Sequence, residues 1–204
     1  MPTFPHYRQH DAMDCGPTCL RMVAKHYGKN YSIDRLRTQA EYSREGVSIL
    51  GIAQAAEAIG FKSTGVQLSY KQLIEDVQLP AILHWGQNHF VVLVKAKNGR
   101  LVIADPAKSK IVTVDKREFL ERWAHGGQSE EMTSPNPSEG GGFETSPPSP
   151  LHMERGAVSA FSSNRFSDEN AEGMALLLET TPAFFKQEGD KNKKLGWGLL
   201  SRAP

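Results

Sequence analysis

Residues 9–20 read QHDAMDCGPTCL, which sets a glutamine six positions ahead of a Cys-Gly-Pro. Proline is tolerated in the first turn of a helix, where its missing N–H leaves no bond unmade. Pro17 therefore predicts a helix beginning at Cys15 or Gly16, and Gly28 supplies the left-handed stop. Between them Leu20, Val23, Ala24 and Tyr27 recur at helical spacing. A cysteine at such a start has two readings. The bland one is a buried thiol, because cysteine is among the most buried residue types. The other is a nucleophile. A thiol reacts as its thiolate, which the positive end of a helix and a neighbouring histidine both favour. Cys15 stands at the helix end, whereas Cys19 lies one turn inside, beyond the terminal N–H groups, and reads as core packing.

Working outward, Ser32 caps a short helix SIDRLRTQA and Ser48 caps a longer one, SILGIAQAAEAIG. Ser69 with Gln72 three residues on is a capping-box pattern for a fourth. One strand-like piece, FKSTGVQL, interrupts this helical front half. After Pro80 the character changes. AILHW, HFVVLVKAK, RLVIADP and KIVTV are short β-rich runs, and Asn98-Gly99 between two of them is a strong hairpin signal. Asp115 and Glu118 fit the cap of a last short helix, KREFLERW. Helices followed by an antiparallel meander read as α+β, with the N-terminal helices packed on an antiparallel sheet.

Composition narrows the function classes. The chain has 204 residues, and its 24 Lys and Arg nearly balance 23 Asp and Glu, so no nucleic-acid partner is indicated. Two cysteines are too few for a secreted disulfide framework, which indicates a reducing compartment. No signal peptide, membrane span or nucleotide-binding glycine loop is recognisable. The histidines and cysteines lack zinc spacing, so neither a metal nor another cofactor is expected. Four spans follow: a domain over 1–125, a Ser/Pro/Gly/Glu-rich insert over 126–172 with the composition of a disordered linker, a last strand over 173–185, and a charged tail over 186–204. The triple glycine in SEGGGF (138–143) belongs to the linker. No apolar residues at helical intervals precede it, as a self-cleaved leader would require.

Seven histidines compete for the role of base. His84 lies mid-strand, His26 near the end of the first helix, and His152 in the low-complexity insert. His89 opens a β-run after a polar turn, where a strand end can border a cleft. Its partner is Asp105, because the Asn98-Gly99 turn makes their strands neighbours. A register setting residues near 94 opposite those near 103 leaves both at the same end of the ladder. A carboxylate there fixes the imidazole tautomer and steadies its positive charge, although Asp-Pro at a strand end is also ordinary turn chemistry. Gln9 completes the set, since acyl transfer develops negative charge on an oxygen that a side-chain amide and a backbone N–H can stabilise.

The runs QHDAMDCGPTCLRMVAKHYG and LPAILHWGQNHFVVLVK, with ADPA after them, resemble the bacteriocin-processing peptidase domain. That papain-like cysteine peptidase lies at the N-terminus of peptide-exporting ABC transporters. The resemblance covers residues 4–123 and extends to GMALLLETTPAFF as the family's last strand. It implies a papain-like fold, Cys15 as nucleophile, His89 as base, Asp105 as orienting acid and Gln9 as oxyanion donor. It further implies cleavage of leader peptides after a Gly-Gly pair, with a leader-bearing peptide as substrate and an ABC transporter as partner, in cis or in trans. The expected location is cytoplasmic, or the cytoplasmic face of the inner membrane with residues 186–204 juxtamembrane-like. Two departures stand out: the insert before the last strand, and a chain that stops where an exporter would enter its membrane helices. Two alternatives remain. A papain-like acyltransferase shares the Cys, His, Asp order but would pass the acyl group to an amine; a non-catalytic cargo-binding relative looks similar but lacks the nucleophile, and here Cys15 is present.

Overall fold

The computed structural model describes residues 3–40, 47–86, 88–124 and 171–190. The insert expected over 126–172 lies outside them except for its last two residues, as does the tail beyond 190. A single 3-10 turn, Ala12–Asp14, leads into α1 (Cys15–His26), followed by α2 (Ile33–Gln39) and α3 (Ile49–Ala58). Then come β1 (Phe61–Ser69), α4 (Tyr70–Glu75), β2 (Ala81–Trp85), β3 (His89–Lys97), β4 (Arg100–Ala104), β5 (Val112–Asp115) and α5 (Lys116–Trp123). The described chain closes with β6 (Glu172–Thr180) and α6 (Pro182–Lys186).

Local chemistry accounts for most boundaries. The hydroxyls of Ser32, Ser48 and Ser69 accept from the N–H groups of Arg35, Gly51 and Gln72, and the Asp115 carboxylate accepts from Glu118. Asn98 and Gly99 both have positive φ, 52° and 70°, as a two-residue hairpin turn of matching twist requires. The strand expected over 173–185 is corrected at both ends. It starts at Glu172 and stops at Thr180, where the Thr181 side chain caps α6 and Pro182 takes its first turn. Gly60 permits that arrangement. Its φ is 92°, and a Cβ there would lie 2.5 Å from the Phe184 nitrogen.

All six strands form one antiparallel sheet in the order β1-β6-β2-β3-β4-β5. The meander expected from the sequence is β2 to β5, and β6 returns to fill the gap between β1 and β2. Helices α1–α3 cover one face, where Leu20, Val23, Ile52 and Ala56 pack with Ile82, Val92 and Leu176. Helices α4 and α5 cover the other, where Leu73, Phe119 and Trp123 pack with Leu83, Val91 and Leu101. With both faces covered, β3 buries Phe90 through Leu93 consecutively, which explains its unbroken apolar run. Among the described residues no helix is long and apolar enough to cross a membrane.

Candidate active site

Cys15 is the first residue of α1 and is nearly buried. The Asp11 carboxylate caps the preceding turn by accepting from the Met13 N–H at 3.2 Å. In return Asp14 Oδ2 accepts from the Asp11 N–H at 3.0 Å. The nucleophile candidate is thus delivered by a stitched turn rather than by a loose loop.

His89 opens β3, and its Nε2 lies 2.8 Å from Oδ1 of Asp105, the first residue after β4. A β-bulge interrupts the ladder between their strands. Near the turn, Lys97 pairs with Arg100, Ala96 with Leu101 and Lys95 with Val102; past Val94 the pairs become Leu93 with Ile103 and Val92 with Ala104. The expected pairing near 94 and 103 therefore sharpens to Leu93 opposite Ile103. Opposed residues share a face, and faces alternate along a strand. The ladder ends at the pair of Val92 and Ala104, so His89 and Asp105 both lie beyond its last pair, at the same end of the sheet.

Asp105 Oδ1 also accepts from the Ala107 N–H at 2.9 Å, and its backbone oxygen lies 3.0 Å from the His6 ring. Burial alone would raise the Asp105 pKa. Hydrogen bonds from His89 and Ala107, with the charges of His89 and Lys108, outweigh it and hold the group ionised below its ordinary value. At His89 burial pulls downward, but the hydrogen bonds and charges of Asp105 and Cys15 raise the pKa to about 9. The imidazole therefore touches both partners. With Nε2 on the carboxylate, Nδ1 is the nitrogen left for the Cys15 sulfur.

Gln9 joins the same corner through its backbone, its N–H donating to the Pro106 carbonyl at 2.9 Å. Its carboxamide, however, turns back on its own loop. Nε2 donates to the carbonyls of Asp11 and Ala12 at 3.0 and 3.3 Å, while Oε1 is buried without a hydrogen-bond partner. Cys19 lies fully buried, its thiol donating to the Phe90 carbonyl at 3.3 Å, and burial together with the charges of Cys15 and Asp105 pushes its pKa up. His84 packs on Phe90 and His26 on Phe4, and His152 lies outside the described residues. No metal-binding cluster of histidine, cysteine and carboxylate exists among the described residues.

Two neighbours escaped the sequence reading. His6 buttresses the Asp105 backbone, and Asp14, next to Cys15, is fully buried against Arg37 of α2. The Asp-Cys step was visible in the sequence. Nothing local pointed to a guanidinium 23 residues away.

Residues 3–127 match the model of the Peptidase C39 family. The chain belongs to that family. It is a cysteine peptidase domain by membership, and it spans 15% of the length of a curated relative it matches. That relative is the probable microcin-H47 secretion/processing ATP-binding protein MchF of Escherichia coli, 37% identical over 106 residues, or 52% of this chain. The peptidase domain of Streptococcus ComA, described as a bi-functional ABC transporter of a quorum-sensing pathway, superposes with a TM-score of 0.60 at 26% identity. That match covers 88% of this chain and all of the ComA domain. A double-glycine motif protease from an AMS/PCAT transporter, solved with its leader peptide, shares the fold with a TM-score of 0.60 at 24% identity, covering 87% of this chain and 91% of that one. This C39 domain is therefore papain-like in fold, as its sequence resemblance implied.

Proposed function

We propose that this C39 domain is a thiol endopeptidase that cuts a leader peptide directly after a Gly-Gly pair, as its cargo is passed to an ABC-type exporter. The observation that carries the reading is the contact chain from Cys15 through His89 to Asp105, with the imidazole held between sulfur and carboxylate. Relatives named for microcin-H47 and lactococcin-G processing, and the double-glycine motif protease solved with its leader peptide, support the substrate class. The peptidase domain in this reading comprises residues 1–125 and the strand that follows the insert. It works at the cytoplasmic face, where an exporter receives its cargo.

The chemistry runs in two halves. Cys15 Sγ attacks the carbonyl carbon of the second glycine, forming the S–C bond, while the thiol proton rests on His89 Nδ1. The carbonyl oxygen takes the negative charge, stabilised by the backbone N–H at the start of α1 and by the Gln9 carboxamide. For this, Gln9 gives up its longer bond, to Ala12. His89 then donates its proton to the leaving nitrogen, the C–N bond breaks, and water activated by the neutral imidazole hydrolyses the thioester. Asp105 holds the ring with Nε2–H pointing at itself throughout. Selectivity for glycine follows from a cleft in which only a residue without Cβ lets the backbone approach the sulfur.

The test is cleavage of a peptide whose leader ends in Gly-Gly. The wild-type protein should cut after the second glycine. Cys15→Ala should lose roughly 10⁶-fold in turnover, the scale seen when a triad nucleophile is removed. Release of the free-acid leader in the presence of a small amine supports hydrolysis; the leader amide would mean an acyltransferase. Binding of the leader without cleavage by the wild-type protein, under reducing conditions, would make it a cargo receptor.

A further inference from the structure

Asp14 is fully buried one residue before Cys15, a costly place for a carboxylate. Its neighbour is Arg37, on α2. Nε donates to Oδ1 at 2.7 Å and Nη2 donates to Oδ2, a two-pronged grip on both oxygens. Nη1 reaches Asp34 at 3.1 Å on the solvent side of the same helix. Burial alone would raise the Asp14 pKa; the Arg37 bond, the Asp11 N–H and the Arg37 charge outweigh it and keep the group ionised. The far end of α2 is anchored separately, since the Ser32 N–H and the Arg35 guanidinium both donate to Asp190.

We propose that Arg37 is a positioning residue for Cys15, acting through Asp14. The inference rests on Cys15 being the nucleophile. Two physical effects run together. The fork fixes the peptide unit from which Cys15 leaves the stitched turn, so the sulfur is held at one distance from His89. The guanidinium also cancels a negative charge that would otherwise sit beside a developing thiolate, opposing the field of the helix end. A clamp that only joined α1 to α2 for stability would need neither a location next to the sulfur nor both oxygens of the carboxylate.

Two variants separate the alternatives. Arg37→Lys keeps the charge but offers a single ammonium in place of the fork. Asp14→Asn keeps the shape and removes the charge without leaving a buried carboxylate unpaired. Each is followed by thermal melting, by the rate of iodoacetamide labelling at Cys15 at neutral pH, and by kcat and KM on a Gly-Gly leader peptide with labelled sites counted. Arg37→Lys should label more slowly; Asp14→Asn loses the fork but also the opposing negative charge, and should be slowed less than Arg37→Lys. In Arg37→Lys, kcat per counted site should fall about 10- to 100-fold with KM within about twofold, the scale of a misplaced reacting group. Lowered melting temperatures with wild-type labelling rates and wild-type kcat per site would overturn the proposal and leave a purely structural clamp. Labelling needs no substrate, so the two failures are distinct. A wild-type protein that labels fast at Cys15 but cuts no leader defeats the proposed function alone. An Arg37→Lys variant that labels as fast as the wild type defeats this proposal alone.

Discussion

The two faces of the sheet are packed in different ways. Helices α1–α3 approach one another through small residues: a Cβ on Gly16 would lie 2.7 Å from Ile52 Cδ1, and one on Gly51 would lie 2.5 Å from the Ala40 carbonyl oxygen. Ala24, Ala55, Ala56 and Cys19 line the same layer. Against α5 the space is filled by a stack of large rings, Trp85 on Phe119 at 5.4 Å and Phe119 on Trp123 at 5.3 Å. The Trp123 indole stands over Gly173 and donates to the Met174 carbonyl at 3.1 Å. The candidate site stands where the start of α1 meets the end of β3, and the aromatic stack lies against α5, so the two regions can be broken separately.

After loss of the nucleophile itself, the largest effect is expected at Asp105. Asp105→Ala frees the His89 ring to turn and removes the charge that steadies it, so turnover should fall by about 10²- to 10⁴-fold. The pH profile gives a sharper check. The raised pKa near 9 keeps His89 protonated at neutral pH, and an activity that needs the imidazolium fails as the pH rises through about 9. Losing Asp105 leaves burial to pull that value down, so the alkaline limb should move to lower pH. Stability follows the same signs. The His89 contribution is fully present below its ordinary value of 6.5 and is lost as the pH rises through about 9; that of Asp105 is present above 3.8 and is lost as the pH falls through its lowered value. An unmoved alkaline limb in Asp105→Ala would show that some other group holds the proton on His89.

On the aromatic face the expectation is reversed. Trp123→Ala removes a fully buried indole and its bond to Met174, and should cost about 3–5 kcal/mol of stability. Below its melting point the variant should keep wild-type kcat per labelled site. A large fall in kcat with little loss of stability would mean that the two faces are not separable as drawn.

How far the sequence foretold this arrangement depends on the range of each interaction. The start of α1 at Cys15, the serine caps of α2, α3 and α4, and the Asn98-Gly99 turn were legible because each is written within four residues. The apolar run of β3 was legible as a strand. Its bulge at Val94 was not, because a bulge exists only relative to a partner strand. For the same reason, proximity of His89 and Asp105 could be guessed from the hairpin, while the register of the pairs leading to them could not. The insertion of β6 between β1 and β2, the Asp14–Arg37 grip and the buttress from His6 join residues 23 to about a hundred positions apart, and no local pattern records them. The strand expected to run to 185 ends at Thr180 because Thr181 caps a helix with Pro182 in its first turn, and the apolar Phe184 and Phe185 belong to that helix.

The smallest effect divides the two cysteines. They lie one turn apart on α1 and both face the close-packed side, yet only Cys15 meets an imidazole. Cys19 is fully buried, and its hydrogen bond to the Phe90 carbonyl ties α1 to β3 next to His89. Burial and the charges nearby push its pKa up, so it stays a thiol at neutral pH, without reactivity. Cys19→Ala therefore loses one weak hydrogen bond and the space of a sulfur atom, for about 1 kcal/mol of stability. It should leave the rate of iodoacetamide labelling unchanged, with the label found by mass spectrometry on Cys15 alone. A label on Cys19 in the wild-type protein, or slower labelling of Cys15 in the variant, would show that the two thiols act as one unit. The helix end would then not be what sets Cys15 apart.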